Sequence, residues 1–228
     1  MPLEIRTFGR LALKNDGKEV SLPASRKTRA LLAFLICSAG AVSRQTLCEL
    51  FWDAPDDPLA SLRWSLSKLR GAVNTPEAER VNADRKVAWF LPIDARVDVR
   101  GLHDMTKAAI CAEHEANEMW NATSGVWLED CERLNQAAFA IWLESQRKEM
   151  NRSRSSLARR FARDPELDWQ ERDKWAERWL NLTPYSQDAA ALLSKPSITR
   201  PANRQPLHWP IISSVLLKMR ASSRPNLK

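Results

Sequence analysis

Hydrophobic and polar positions alternate along the first 22 residues, and this period of two predicts the strands of a small antiparallel sheet. Leu3 and Ile5 fall on one face of the first strand, and Leu13 continues the alternation in the second. Residues 15–17, Asn-Asp-Gly, tolerate positive φ and are typical of a hairpin turn. Residues 18–22 are therefore expected to return as a third strand.

After the sheet the hydrophobic period lengthens to that of a helix, and the pattern predicts three short helices. The first covers residues 26–38 and is expected to stop at Gly40. Ser43 is a suitable N-cap for the second helix. The third covers residues 57–73, where Pro58 fits the first turn.

Residues 80–83 and 87–91 then predict a second hairpin around a turn at residues 84–86. A sheet, three helices and a hairpin in this order are typical of an OmpR-type winged helix-turn-helix, a DNA-binding fold. We therefore predict such a domain over residues 1–93.

The chain beyond this domain has a helical pattern almost throughout. Predicted helices cover residues 99–120, 134–161, 167–180 and 184–193, and in the last of these Thr183 is the cap before Pro184. Helix pairs of this kind stack into repeat arrays. The predicted fold class is thus mostly α, an α+β winged helix followed by an all-α domain over residues 94–195. Prolines interrupt residues 196–228, which are expected to be mostly disordered.

The third helix is the candidate for contact with DNA because its two faces differ. Its apolar stripe is expected to pack on the first two helices and comprises Leu59, Leu62, Leu66, Leu69 and Val73. The opposite side comprises Ala60, Ser61, Trp64, Ser67, Lys68 and Gly71, with Arg63 and Arg70 flanking the stripe. Small residues let a helix enter a major groove about 12 Å wide, and serine and lysine donate to bases and phosphates. A surface helix with a solvated polar face is the alternative.

Further candidate contacts each have an alternative as well. Trp64 is expected either to touch a deoxyribose or a thymine methyl, or to dock elsewhere in the protein, because an exposed indole is unfavourable in water. Arg85 and Lys86 at the hairpin tip would reach a phosphate or the minor groove, or form a plain surface turn. Arg44 follows the Ser43 cap at a helix N-terminus, where backbone N–H groups favour phosphate.

Charge is distributed unevenly along the chain. Residues 1–93 contain 14 Lys and Arg against 10 Asp and Glu, residues 94–195 contain 15 against 18, and residues 196–228 contain 6 against none. A basic N-terminal part beside a mildly acidic one indicates that only one end meets a polyanion. The first helix begins with Arg26, Lys27 and Arg29, which oppose the helix dipole and are expected to meet a phosphate or an acidic partner.

Composition excludes several other classes of protein. With 44% hydrophobic and 28% charged residues, the chain is globular rather than disordered. It has neither a signal-peptide pattern nor a run near the ~20 apolar residues of a membrane helix, so we expect a cytoplasmic protein with no membrane partner. The four cysteines form no CxxC pair and the three histidines are scattered, which argues against zinc and predicts reduced, mostly buried thiols.

Four blocks of the N-terminal sequence, in this order, resemble the SARP family of bacterial transcriptional activators. They are LEIRTFGRL at residues 3–11, RKTRALLAFL at 26–35, SRQTLCELFW at 43–52 and LRWSLSKLR at 62–70. Two later blocks, WLESQR at 142–147 and WLNLTPYS at 179–186, resemble the bacterial transcriptional activator domain, a tetratricopeptide-like helical fold. The resemblance covers residues 3–195.

The resemblance implies binding of double-stranded DNA at direct repeats in a promoter by a head-to-tail pair of protomers, and recruitment of RNA polymerase. By position it assigns the wing role to Arg85 and Lys86. It assigns the recognition-helix role to Ser61, Arg63, Trp64, Ser65, Lys68 and Arg70, to which the polar face adds Ser67. The family's helical domain usually continues through another helix pair after the LTPYS sequence, so we expect this one to be incomplete, with a truncated or frame-shifted end.

Two other classes of function are considered. In a protein-interaction adaptor the helical domain would bind a partner, and the winged helix would be only a scaffold. Neutralising Lys68 and Arg70 distinguishes a regulator from an adaptor. In a regulator this change should impair DNA binding alone. An enzyme has no support, since the P-loop, GxGxxG, HExxH and GxSxG patterns are all absent, and no cofactor is expected. Residues 113–115, Glu-His-Glu, point in different directions on a helix and do not predict a metal site.

Overall fold

A computed structural model describes residues 2–53, 57–132 and 134–194 of the chain. The chain divides into two compact units, residues 1–150 and residues 151–228. The tail expected to be disordered, residues 196–228, lies outside the described residues. The described residues confirm a mostly α fold with an α+β N-terminal part and a helical C-terminal part.

The predicted N-terminal sheet is present. Its first three strands are β1, Leu3–Arg6; β2, Ala12–Asn15; and β3, Lys18–Val20. Asp16 and Gly17 both have positive φ in the turn between β2 and β3, as the Asn-Asp-Gly sequence predicts. Leu3 and Ile5 are buried while the residues that alternate with them are exposed, so one face of β1 packs on the core.

Three helices follow, as predicted, and each begins at a side-chain cap. They are α1, Arg26–Cys37; α2, Arg44–Phe51; and α3, Pro58–Val73. Ser25 Oγ accepts from the Thr28 N–H at 3.3 Å, and Ser43 Oγ accepts from the Thr46 N–H at 3.0 Å. Their shared core is fully buried and includes Leu31, Leu35, Leu47, Phe51, Leu62 and Leu69.

A second, three-stranded sheet closes the winged helix. Its strands are β4, Val42–Ser43; β5, Val81–Ala83; and β6, Val87–Phe90, in the order β4-β6-β5. The antiparallel β5–β6 hairpin, residues 81–90, confirms the predicted one and is called the wing below.

A fourth strand joins the N-terminal sheet from far along the chain. β7, Ala95–Val97, pairs with β1 in parallel. Directly after it, Asp98 accepts hydrogen bonds from the backbone N–H groups of Thr7 and Phe8 at 2.6 and 3.0 Å. The compact N-terminal unit therefore continues past residue 93, where the sequence placed a boundary.

The single helix expected over residues 99–120 is wrong, because two helices occupy this region. They are α4, Asp98–Lys107, and α5, Glu113–Ala122. The two helices contact one another, so the chain must reverse between them. A Cβ on Gly101 would lie 2.8 Å from Cε of Met119, which shows how closely they approach. The connecting residues 108–112 contain neither Gly nor Pro, and the sequence pattern therefore gave no sign of the break.

The predicted long helix is α6, Ala137–Ala162, and its first half belongs to the N-terminal unit. The Trp142 ring lies 4.8 Å from Phe34 and 5.8 Å from Trp127, measured between ring centroids. Phe139 lies 5.1 Å from Phe51. These rings join α6 to α1 and α2 through aromatic packing.

The C-terminal unit contains the second half of α6, then α7, Trp169–Leu182, and α8, Gln187–Ser194. Phe161 stacks on Trp175 with ring centroids 5.1 Å apart. The predicted start of the last helix at Pro184 is wrong. Thr183 Oγ1 instead donates to the Trp179 carbonyl at the end of α7. Ser186 caps α8 by accepting from the Ala189 N–H at 3.2 Å.

Candidate nucleic-acid interface

Helix α3 is held at both ends by polar side chains. At its start, Asp57 Oδ1 accepts from the Ala60 N–H at 2.7 Å, and Pro58 occupies the first turn. At its end, Asn74 Oδ1 accepts from the N–H groups of Arg80 and Val81 at 3.0 and 2.8 Å. These bonds fix the helix against the loop that leads into the wing.

The inner face of α3 carries most of the predicted apolar stripe. Leu62, Leu66, Leu69 and Val73 are at most 2% exposed, whereas Leu59 is 45% exposed. The stripe therefore begins one turn later than the sequence indicated.

Ser65 is the one candidate of the recognition helix that the structure buries. It is 2% exposed, and its Oγ lies 3.0 Å from Oγ1 of Thr28 on α1. Ser65 lies three residues after Leu62 and four before Leu69, and this spacing puts it on the inner face. Ser65 therefore packs α3 on α1 and does not present its hydroxyl at the surface.

The outer face of α3 keeps the other candidates at the surface. Ser61 is half-buried, whereas Arg63, Trp64, Ser67 and Lys68 are exposed. Trp64 is 54% exposed, so about half of its side chain remains at the surface of the N-terminal unit. Lys68 Nζ lies 5.6 Å from the centroid of the Trp64 ring. This is a cation–π contact between residues one turn apart on α3. Arg63 forms a long, solvent-exposed pair with Asp57, at 3.6 Å.

Arg70 is exposed, yet its guanidinium is bonded to the wing. Its Nη2 donates to the Ala83 carbonyl at 3.1 Å and its Nε donates to the Val81 carbonyl at 3.4 Å. Arg70 therefore fixes the wing relative to α3, a role that its position in the recognition helix did not indicate.

The wing tip is shaped by Asp84. Its Oδ1 accepts from the N–H groups of Lys86 and Val87 at 2.6 and 2.8 Å, and these two bonds hold the pKa of Asp84 below its ordinary value. Arg85 and Lys86 are exposed at this tip. Arg44 Nε donates to the Asp84 carbonyl at 2.8 Å, so Arg44 braces the wing from the start of α2.

Sequence reasoning missed Arg80, which anchors the base of the wing. It is 5% exposed, and its guanidinium donates to the carbonyls of Val73, Ile93 and Asp94 at 2.7, 2.8 and 3.2 Å. All three acceptors are backbone groups, so no residue type in the sequence marks them. The helix and the wing are consequently one connected element.

Arg29, at the start of α1, has an acidic partner within the chain. Arg29 Nε lies 3.0 Å from Oδ2 of Asp130, and its Nη1 donates to the carbonyls of Pro23 and Ala24. The sequence left open either a phosphate or an acidic partner for the cations at the start of α1, and for Arg29 the structure shows an acidic partner.

A small open cleft borders the first half of α3. It has a volume of about 420 Å³ and is lined by Ser25, Trp52, Ala60, Ser61, Trp64 and Ser65. None of these side chains carries a charge, and Trp64 supplies most of the exposed aromatic surface because Trp52 is buried.

The four cysteines are free thiols, of which Cys48 and Cys131 are buried whereas Cys37 and Cys111 are half-buried. Burial raises the pKa of Cys37 and of Cys131 to about 12, so neither thiol ionises near neutral pH. Within residues 2–53, 57–132 and 134–194, no group of three His, Cys, Asp or Glu side chains is placed to hold a metal ion. Over the same residues, no helix combines the length and apolar character needed to span a bilayer.

The comparisons with known proteins show a likeness of fold. No protein-family model matches the chain, and no curated protein is similar to it. Among solved structures, the chain is similar to Mycobacterium tuberculosis EmbR, in a structure with a low-affinity phosphopeptide, with a TM-score of 0.50 and 15% sequence identity. The match covers 99% of this chain and 66% of the EmbR chain, so this chain spans just under two thirds of that neighbour.

Proposed function

We propose that the protein is a sequence-specific DNA-binding transcription regulator that inserts α3 into the major groove and rests its wing on the adjacent backbone. The observation that carries the proposal is the outer face of α3. There a half-exposed indole, Trp64, and the ammonium group of Lys68 stand together on a helix whose other face is fully packed. Large aromatic side chains next to cations are typical of binding surfaces.

The wing supports the proposal by its charge and its attachment. Arg85 and Lys86 are exposed at its tip, where they are available to phosphates. Arg70 and Arg80 fix the wing to α3. Two elements held in one geometry can contact neighbouring parts of a duplex together.

The overall fold gives independent support. The chain shares its fold with EmbR, and its sequence blocks resemble the SARP family of transcriptional activators. Activation, recruitment of RNA polymerase, pairing of two protomers on direct repeats and a tetratricopeptide-like repeat in the helical part are finer elements of the proposal. They depend on the sequence resemblance.

The test is selection of DNA from the protein's own genome. The purified full chain is incubated with fragmented genomic DNA, and the bound fragments are sequenced. A Trp64→Ala/Lys68→Ala variant runs in parallel, and Arg70 is left intact because of its structural role. Lys107→Ala, at the exposed end of α4, is the control that removes one positive charge elsewhere.

We expect a few promoter fragments that share a repeated motif to be enriched by the wild type and by Lys107→Ala, and lost by the double variant. Uniform recovery of all fragments, or equal recovery by the double variant, would show that α3 does not contact DNA. The adaptor function would then be favoured, and a protein partner of residues 94–195 would be the next target.

A further inference from the structure

The cleft beside Trp64 places a half-exposed aromatic ring next to polar groups. Its lining carries no charge that would attract a phosphate. It places the half-exposed Trp64 indole beside the hydroxyl of Ser61, which suits a methyl group that stands next to hydrogen-bonding edges. It is also open, whereas a small-molecule site usually buries 70–90% of its ligand. An edge of a larger molecule fits it better than a free effector does.

Three side chains of α3 form a line that includes this cleft. Ser61, Trp64 and Lys68 stand at positions i, i+3 and i+7, which lie on one face of a helix. Seven residues of α-helix span about 10.5 Å, and three base-pair steps span about 10 Å. The line therefore matches three successive base-pair steps when α3 lies along the groove.

Base chemistry decides which base fits Trp64. In the major groove the C5-methyl group of thymine is the apolar feature, while guanine offers O6 and N7 as acceptors for lysine. We infer that Trp64, with the cleft beside it, takes the 5-methyl group of a thymine, and that Lys68 donates to a guanine one or two base pairs away. The inference rests on the proposed function and adds the base that the helix recognises.

The experiment replaces thymines with uracil, which removes only the methyl group. An operator duplex obtained from the genomic selection is made with one thymine at a time replaced, and the Kd of each duplex is measured by fluorescence anisotropy. Burial of one methyl group contributes about 0.8 kcal/mol, so we expect uracil at one or more thymines in the footprint to weaken wild-type binding about fourfold. Trp64→Ala should bind thymine and uracil duplexes equally at those positions.

Lys68→Ala separates methyl recognition from general affinity. It should bind every duplex more weakly and keep the full uracil penalty at the same thymine. Circular dichroism checks that both variants fold, which their exposed positions favour. The inference is overturned if Trp64→Ala keeps the penalty, or if the wild type binds the operator and no thymine is sensitive. Loss of all DNA binding by the wild type would instead overturn the proposed function, and the inference with it.

Discussion

Thr28 and Ser65 join α1 to α3 through a buried hydrogen bond, with hydroxyl oxygens 3.0 Å apart. Both residues are at most 2% exposed, so neither hydroxyl can turn to water for another partner. Together with the buried leucines of the inner face, the bond helps to fix the rotation of α3 about its own axis, and with it the direction in which Trp64 faces.

Removing one hydroxyl should destabilise the fold. Ser65→Ala leaves the Thr28 hydroxyl buried without its partner, and we expect the free energy of unfolding to fall by about 1–3 kcal/mol. Thr28→Val/Ser65→Ala removes both polar groups and should lose less than the sum of the single variants. Urea unfolding measures all three. A Ser65→Ala protein of unchanged stability but weaker DNA binding would contradict the buried role of Ser65.

Arg70 and Lys68 should behave differently although both are cations of α3. Arg70→Ala loses two hydrogen bonds to the wing, and a loss of about 1 kcal/mol corresponds to a Tm lower by about 2–4 °C. Arg70→Lys should not restore Tm, because lysine lacks the planar fork of arginine. Lys68→Ala should leave Tm unchanged and weaken DNA binding. Equal Tm values for the wild type and Arg70→Ala would show that Arg70 does not fix the wing.

The wing tip should contribute to the salt dependence of DNA binding. Each phosphate contact adds about 0.9 to the slope of log K against log salt concentration. Arg85→Ala/Lys86→Ala should therefore lower the slope by about 1.8 if both cations meet phosphates. Binding titrations between about 50 and 300 mM salt give this slope. An unchanged slope would place the tip away from the DNA backbone, and Lys107→Ala is the matched control.

Asp84 should make wing stability depend on pH. Its pKa is lowered in the folded state by the Val87 and Lys86 N–H groups, so its contribution is present above the ordinary value of 3.8 and is lost as pH falls below it. Asp84→Ala should be less stable than the wild type at pH 6, and the difference should shrink below pH 3.8. Asp84→Asn keeps an acceptor without a titrating group, so its advantage over alanine should stay constant. Urea unfolding across this pH range measures the difference in stability between the wild type and Asp84→Ala. A difference that does not change with pH would refute the role of the carboxylate.

The faces of α3 follow from the sequence, apart from two residues. The spacing of Leu62, Leu66 and Leu69 predicts the buried face, because a helix repeats every 3.6 residues. The same spacing puts Ser65 on that face, whereas the family resemblance assigned it to the recognition helix by position alone. Leu59 is exposed because it lies in the first turn of the helix, and a wheel does not show where the neighbouring helices end.

The remaining features come from residues far apart in sequence. Arg80 is satisfied by backbone carbonyls, and Arg29 pairs with Asp130 a hundred residues later. No local pattern predicts such partners, because they depend on how the elements pack. Trp52, which lines the cleft beside Trp64, lies at the C-terminal end of α2. Spacing along the sequence alone could not assign it to that cleft.

The hydrogen bond from the Thr7 N–H to Asp98 spans 91 residues and sets an order of events during synthesis. A ribosome adds about 5–20 residues per second, so the first strand is exposed for about 5–20 s before its acceptor has even been made. During that interval the side of β1 that will receive β7 is an unpaired edge, which other nascent chains can bind. The winged helix of this protein is therefore vulnerable until translation has passed Asp98, five residues beyond the point where its sequence pattern ends.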